Sequence, residues 1–154
     1  MRPLILSVGK PSRGWPAEAC NDYVRRLRRW DGLDEVWIKP ERFHGDIEAV
    51  RAAEGERLRA KVGARDRLIC IDERGEALTT EAFTDVIQGV RLDGTPTLIF
   101  ALGGAYGHDE RTRETAWRTL SLSSMVLNHE IARLVLIEQI YRAYATLNGV
   151  PYHH

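Results

Sequence analysis

Three short segments carry the residue types that chemistry needs. Gly103-Gly104-Ala105-Tyr106-Gly107 places glycines where side chains would keep a ligand away, so its amides and carbonyls can approach one directly. It is not the GxGxxG of dinucleotide folds, and no Lys-Ser/Thr follows it as in a phosphate-binding loop. Taken alone it reads first as a turn that needs positive φ. His129 follows Asn128 at a helix start, where unsatisfied amides and the helix dipole disfavour an imidazolium. A neutral ring there can accept a proton; packing against the preceding loop is the other reading. Ser121, Ser123 and Ser124 stand nearby, but without a GxSxG elbow or an orienting acid they do not make a serine hydrolase. The tail Pro151-Tyr152-His153-His154 has the ring types that stack on a nucleobase and hydrogen-bond its edge. His44 and His108 have no metal-ligand spacing to a partner, so no metal site is expected.

The elements that hold these segments follow from apolar periodicity and from punctuation by glycine and proline. Strands are predicted at 4–8, 35–38, 67–71, 97–102 and 119–122, and helices at 17–30, 46–62, about 79–90, about 109–116 and about 128–148. Asp72-Glu73-Arg74-Gly75 is predicted as a turn. Strand and helix in alternation predict a largely parallel sheet covered by helices, with ligands beyond the carboxyl ends of the strands. The segments 71–75, 103–107 and 122–127 leave such ends. The closing helix is strongly polar only at Arg133, Glu138, Gln139 and Arg142 between 131 and 147, so burial on more than one side is expected, by the sheet and by a second copy.

Composition narrows the class. The chain has 154 residues, 44% hydrophobic and 29% charged, which is the balance of one folded domain, expected to span 1–154. No apolar run suffices for a membrane helix, and the N-terminus lacks signal-peptide character, so a cytoplasmic location is expected. Cys20 and Cys70 form no CxxC pair and read as free thiols. Formal net charge is zero, yet seven Lys/Arg face two acids between Arg2 and Trp30. That local excess reads either as a phosphate-contacting face or as a solvated helix.

The segments 98–107 and 120–125, then His129 with Arg133, the segment 138–143 and finally Pro151-Tyr152-His153, in this order and spacing, resemble the bacterial large-subunit ribosomal RNA methyltransferase H family. This is the small single-domain branch of the SPOUT methyltransferases. Chain length and Ser7-Val8-Gly9-Lys10 agree with it. The resemblance implies an α/β fold of SPOUT type: a mostly parallel five- to six-stranded sheet flanked by helices, with a C-terminal trefoil knot, acting as a homodimer. It implies S-adenosylmethionine as cofactor and methyl transfer to N3 of a pseudouridine in 23S rRNA of the assembled ribosome. By position, the cofactor loops fall on Ile71, on Gly103, Gly104 and Gly107, and on Leu122, Ser123, Ser124, Met125, Val126 and Leu127. Polar residues on the substrate side fall on His129, Arg142, Tyr152 and His153. His129 or His153 would assist loss of the N3 proton, Arg142 would stabilise the anion or a phosphate, and Tyr152 would help place the base.

The chain departs from the family pattern at three places. Asn128 precedes His129 where proline is common, His154 stands where Arg or Lys is usual, and Tyr106 stands where an acid is common. Two other readings follow: a SPOUT methyltransferase acting on another RNA, and a dimer that binds the ribosome without transferring a methyl group.

Overall fold

The computed structural model describes residues 1–152. Short apolar runs alternate in it with longer helices: β1 (Arg2–Val8), α1 (Trp15–Leu27), β2 (Asp34–Ile38), α2 (Ile47–Arg59), β3 (Arg67–Ala77), α3 (Thr80–Leu92), β4 (Thr97–Leu102), α4 (Glu110–Thr115), β5 (Arg118–Ser121) and α5 (His129–Leu147). The strands form one five-stranded sheet in the order β2-β1-β4-β3-β5, and every pairing is parallel. β4 is central and buried on both faces, which is why it is a continuous apolar run.

Alternation along the strands divides the core in two. Ile5, Ile69, Leu98, Phe100, Leu102 and Leu120 point to one face and pack with α1, α3 and α5. Leu6, Val8, Leu68, Cys70, Ile99 and Ala101 point to the other, where α2 supplies Leu58. Both cysteines are buried free thiols. No described helix is long and apolar enough to cross a membrane.

Helix ends follow local chemistry. Asp46 caps α2 by accepting from the Glu48 and Ala49 amides, Thr79 caps α3 and Asp109 caps α4. α1 begins at Trp15, earlier than residue 17, because Gly14 turns the chain and Pro16 suits a first helical turn. It ends at Leu27, short of residue 30, where Gly32 at φ 75° returns its amide to the Leu27 carbonyl. α2 likewise stops at Arg59 instead of 62.

The predicted turn at Asp72–Gly75 is corrected: these residues lie within β3. Ile71 and Glu76 both pair with Leu120, so the intervening four residues bulge from the ladder and β3 resumes beyond them. A Cβ on Gly75 would come within 2.6–2.7 Å of backbone atoms of Leu120 and Thr119, so glycine is required by the closeness of β5. α5 packs against both α1 and α3 of its own chain, which cover much of the apolar surface assigned above to a second copy. Ile131, Leu134 and Val135, nearer its start, remain only half-buried.

Candidate functional site

The bulge within β3 and the segments leaving the carboxyl ends of β4 and β5 converge on one cleft of about 590 Å³. Its wall holds Ile71 to Arg74, Leu102 to Gly107, and Ser121 to Leu127 except Ser124. α5 adds His129 and Ala132, and α2 adds Arg51. Of the residues expected to hold a cofactor, Ile71, Gly103, Gly104, Gly107, Leu122, Ser123, Met125, Val126 and Leu127 therefore stand together. Ser124 is exposed and does not line the cleft.

The glycine loop is a tight turn with room for a ligand. The Gly107 amide donates to the Gly104 carbonyl at 3.0 Å, and Gly107 has φ 78°, the one position in the loop that requires a left-handed conformation. Gly103 and Gly104 are glycine for space. A Cβ on Gly103 would lie 2.9 Å from the Gly107 carbonyl carbon, and one on Gly104 would lie 2.5 Å from Oε2 of Glu54. Arg51 Nε donates to the Tyr106 carbonyl at 2.7 Å, and the Tyr106 ring contacts Phe43 with centroids 5.8 Å apart.

The serine segment is ordered by its own hydroxyls. Ser121 Oγ donates to the Ser123 carbonyl at 2.8 Å, and Ser123 Oγ accepts from the Met125 amide at 2.9 Å. This turn leaves Met125 and Val126 73% and 82% exposed, an apolar surface open to a ligand or to another chain.

His129 is the first residue of α5, and Asn128 caps the helix by accepting from the Glu130 amide. Burial pushes the imidazole below its ordinary value and Arg133 adds to this, against Glu130 and a hydrogen bond to the Gly103 carbonyl. The ring is thus held neutral. With one nitrogen donating to Gly103, the other is left as an acceptor. Glu130 also fixes the β1–α1 loop, its Oε1 accepting from the Ser12 amide (2.6 Å) and hydroxyl (2.5 Å). That loop lies at the carboxyl end of β1 and exposes Lys10 and Arg13, with Trp15, the first residue of α1, 65% exposed beside them. Lys10 and Arg13 form no ion pair with a described residue, whereas Arg25 and Arg26 pair with Asp22. Arg28 and Arg29, past the end of α1, likewise form no ion pair with a described residue, so the uncompensated cations of the basic segment lie at both ends of α1.

Arg142 and Tyr152 stand together, away from this cleft. Arg142 sits thirteen helical residues beyond His129, about 20 Å at 1.5 Å per residue, and Tyr152, past the end of α5, packs on it. Arg142 donates to Glu138 (2.7 Å) and to the Tyr152 carbonyl (3.0 Å), and its guanidinium lies 4.7 Å from the Tyr152 ring centre. The Tyr152 hydroxyl meets that of Tyr23 at 3.0 Å, and its ring stands edge-on to Tyr141. Burial, then Tyr23, raises the Tyr152 phenol well above its ordinary value, so the hydroxyl stays protonated. One chain thus does not bring Arg142 and Tyr152 to His129, and His153 lies outside the described residues.

Sequence reasoning passed over several residues of the site. Asp72, taken as part of a turn, is a buried carboxylate at the cleft wall that holds Arg74 by Nε (3.0 Å) and Nη2 (3.1 Å), with Arg113 at 3.7 Å. Burial pushes Asp72 up, but the Arg74 hydrogen bonds and Arg113 outweigh it and hold the carboxyl below its usual range. Glu54, 4% exposed behind Gly104, was read only as part of a charged helix. The signal was Gly55, a glycine inside a helical stretch. It lets Asp109, which pairs with Arg59, close on α2. Arg133 makes a bidentate pair with Glu35 at 2.6 and 2.8 Å, buried between α5 and β2.

Known proteins were compared with the whole chain. A family model described as "Predicted SPOUT methyltransferase" matches residues 1–153. Proteins named Ribosomal RNA large subunit methyltransferase H are similar along their whole length. Those of Geotalea uraniireducens and Geobacter sulfurreducens are 40% identical over 154 residues, covering 100% of both chains. That of Geobacter sp. strain M21 is 39% identical, covering 100% of this chain and 99% of its own.

Proposed function

The chain belongs to the SPOUT methyltransferase family, and from that premise we propose that it transfers a methyl group from S-adenosylmethionine to N3 of a pseudouridine in 23S rRNA of the assembled ribosome. The observation that carries this reading is the convergence of the β3 bulge and the segments after β4 and β5 on one cleft, with Gly103 and Gly104 offering backbone at its wall. The volume lies in the usual range for a small-molecule site. Apolar Ile71, Leu122 and Leu127 beside the backbone of the glycine loop fit an adenosyl group, so these residues would hold the donor. When bound, S-adenosylmethionine supplies an electrophilic methyl group.

The chain's own residues then have distinct tasks. The glycine and serine segments bind and orient, and alignment is the larger part of what methyl transfer requires. His129, held neutral at the cleft wall, accepts the proton lost from the pyrimidine N3. The β1–α1 loop, with Lys10 and Arg13, and Trp15 at the start of α1 offer cations for phosphate and a ring for a base on the same edge of the sheet.

The reading includes a homodimer and a C-terminal knot. Met125 and Val126, with half-buried Ile131, Leu134 and Val135, form an apolar surface at the start of α5 suited to a second copy. In such a dimer Arg142, Tyr152 and His153 of one subunit complete the other's cleft. This reconciles their distance from His129 within one chain. Arg142 then acts first by holding the Tyr152 carbonyl, and so the tail.

The test is methyl transfer from labelled S-adenosylmethionine to intact ribosomes, free 23S rRNA and tRNA in parallel. Incorporation into ribosomes alone is expected. Incorporation into tRNA alone favours another RNA, and ribosome binding without donor binding favours the non-catalytic dimer.

A further inference from the structure

Glu54 is an acid in a place where helices seldom put one. It is 4% exposed on the sheet-facing side of α2, and its Oε1 accepts from the Glu41 amide at 2.9 Å. Its Oε2 is buried with no hydrogen-bond partner among the described residues. A lone buried carboxylate oxygen is costly, so such an atom calls for a reason. The place it occupies supplies one: Oε2 is the nearest atom to the vacant Cβ position of Gly104, at 2.5 Å, with Glu54 Cδ and Val8 Cγ1 both at 3.1 Å. Gly103 and Gly104 of this loop line the cleft together with His129 of α5.

Gly104 is therefore backed by Glu54 of α2, while His129 of α5 lines the same cleft. We propose that Glu54 is a positioning residue for the methyl-donor site, its carboxyl group backing Gly104 and fixing how the Gly103–Gly104 backbone is presented to the cleft. The inference rests on the reading that this loop holds the donor. Burial raises Glu54 above the ordinary glutamate range, opposed by the Glu41 amide and Arg57. Arg57 is itself engaged by Glu41 and by the Lys39 carbonyl, and so does not neutralise Glu54 directly. A backing residue of this kind acts by keeping contact atoms within a fraction of an ångström of their productive place.

The test compares Glu54→Gln, Glu54→Ala and wild type by calorimetric titration with S-adenosylmethionine, with melting temperature and steady-state kinetics on ribosomes alongside. Glutamine is uncharged and of the same shape, and is expected to bind the donor within about threefold of wild type. Alanine removes the backing and is expected to weaken donor binding on the order of tenfold, the cost of losing one buried polar partner. The donor KM should rise while the ribosome KM stays unchanged, a split that general destabilisation does not produce. Should the alanine variant not fold, Glu54→Asp, which withdraws the acid by one methylene, takes its place with the same expectation. Donor affinity unchanged in the alanine or aspartate variant, or lost equally in the glutamine variant, overturns the inference. Absence of donor binding by wild type overturns instead the functional reading beneath it.

Discussion

Gly75→Ala is the substitution with the sharpest structural consequence. The added methyl would stand 2.6 Å from the Leu120 carbonyl carbon and 2.7 Å from both the Leu120 nitrogen and the Thr119 carbonyl carbon. Carbon atoms rest at about 3.5–4.0 Å, so roughly 1 Å of separation between β3 and β5 is demanded. All three obstacles are backbone, and no rotamer change can absorb the clash. Overpacking of this kind costs about 1–3 kcal/mol or more, and for a chain of this length each kcal/mol moves the melting temperature by roughly 2–4 °C. A fall of about 2–12 °C is expected by circular dichroism. Donor affinity should fall with it, since Ile71 to Arg74 precede Gly75 and line the cleft. Gly89→Ala is the matched control: it lies inside α3 with no atom within 4 Å of its Cβ position. That change should stabilise by about 0.5–1 kcal/mol. A Gly75→Ala protein melting with or above wild type would refute the close packing of β3 on β5.

Other consequences are as direct. His108 and His129 are both held below the ordinary value of 6.5, first by burial, so the unfolded chain binds protons before the native one. Stability should fall as pH drops below about 6.5, read as urea midpoints from pH 7.5 to 5.5. Asp72 and Asp109, held below 3.8, contribute above that value and lose their contribution only below it, so the two windows are separate. Arg133→Ala should cost about 3–5 kcal/mol in denaturant unfolding because it strands Glu35, whereas Arg133→Met with Glu35→Leu should recover most of the loss. Replacing Lys10 and Arg13 together by alanine should weaken ribosome binding and flatten its log–log salt dependence by about two, one per phosphate contact.

Much of this arrangement is legible in the residues. β4 reads as a buried central strand because Thr97 to Leu102 is apolar on both faces, and Asp46 and Thr79 announce the helices they cap. Topology alone directs attention to the three segments that meet at the cleft. What is not legible is distance across the fold. Asp72 to Gly75 has turn composition, yet parallel pairing with β5 on both sides of the bulge keeps it within β3. Gly75 and Gly104 look like turn glycines, and only the packed structure reveals that β5 and Glu54 occupy the space beside them. Arg142 and Tyr152 share a polar character with His129, but the length of α5 separates them.

The most direct test of the proposed activity is to map the methyl group itself. Ribosomes lacking the modification are incubated with the protein and isotopically labelled S-adenosylmethionine, and the 23S rRNA is digested and read by mass spectrometry. One labelled methyl on N3 of a single pseudouridine, absent with His129→Ala, is the expected result. Label on another nucleotide, or none in ribosomes while donor binding is intact, would contradict it.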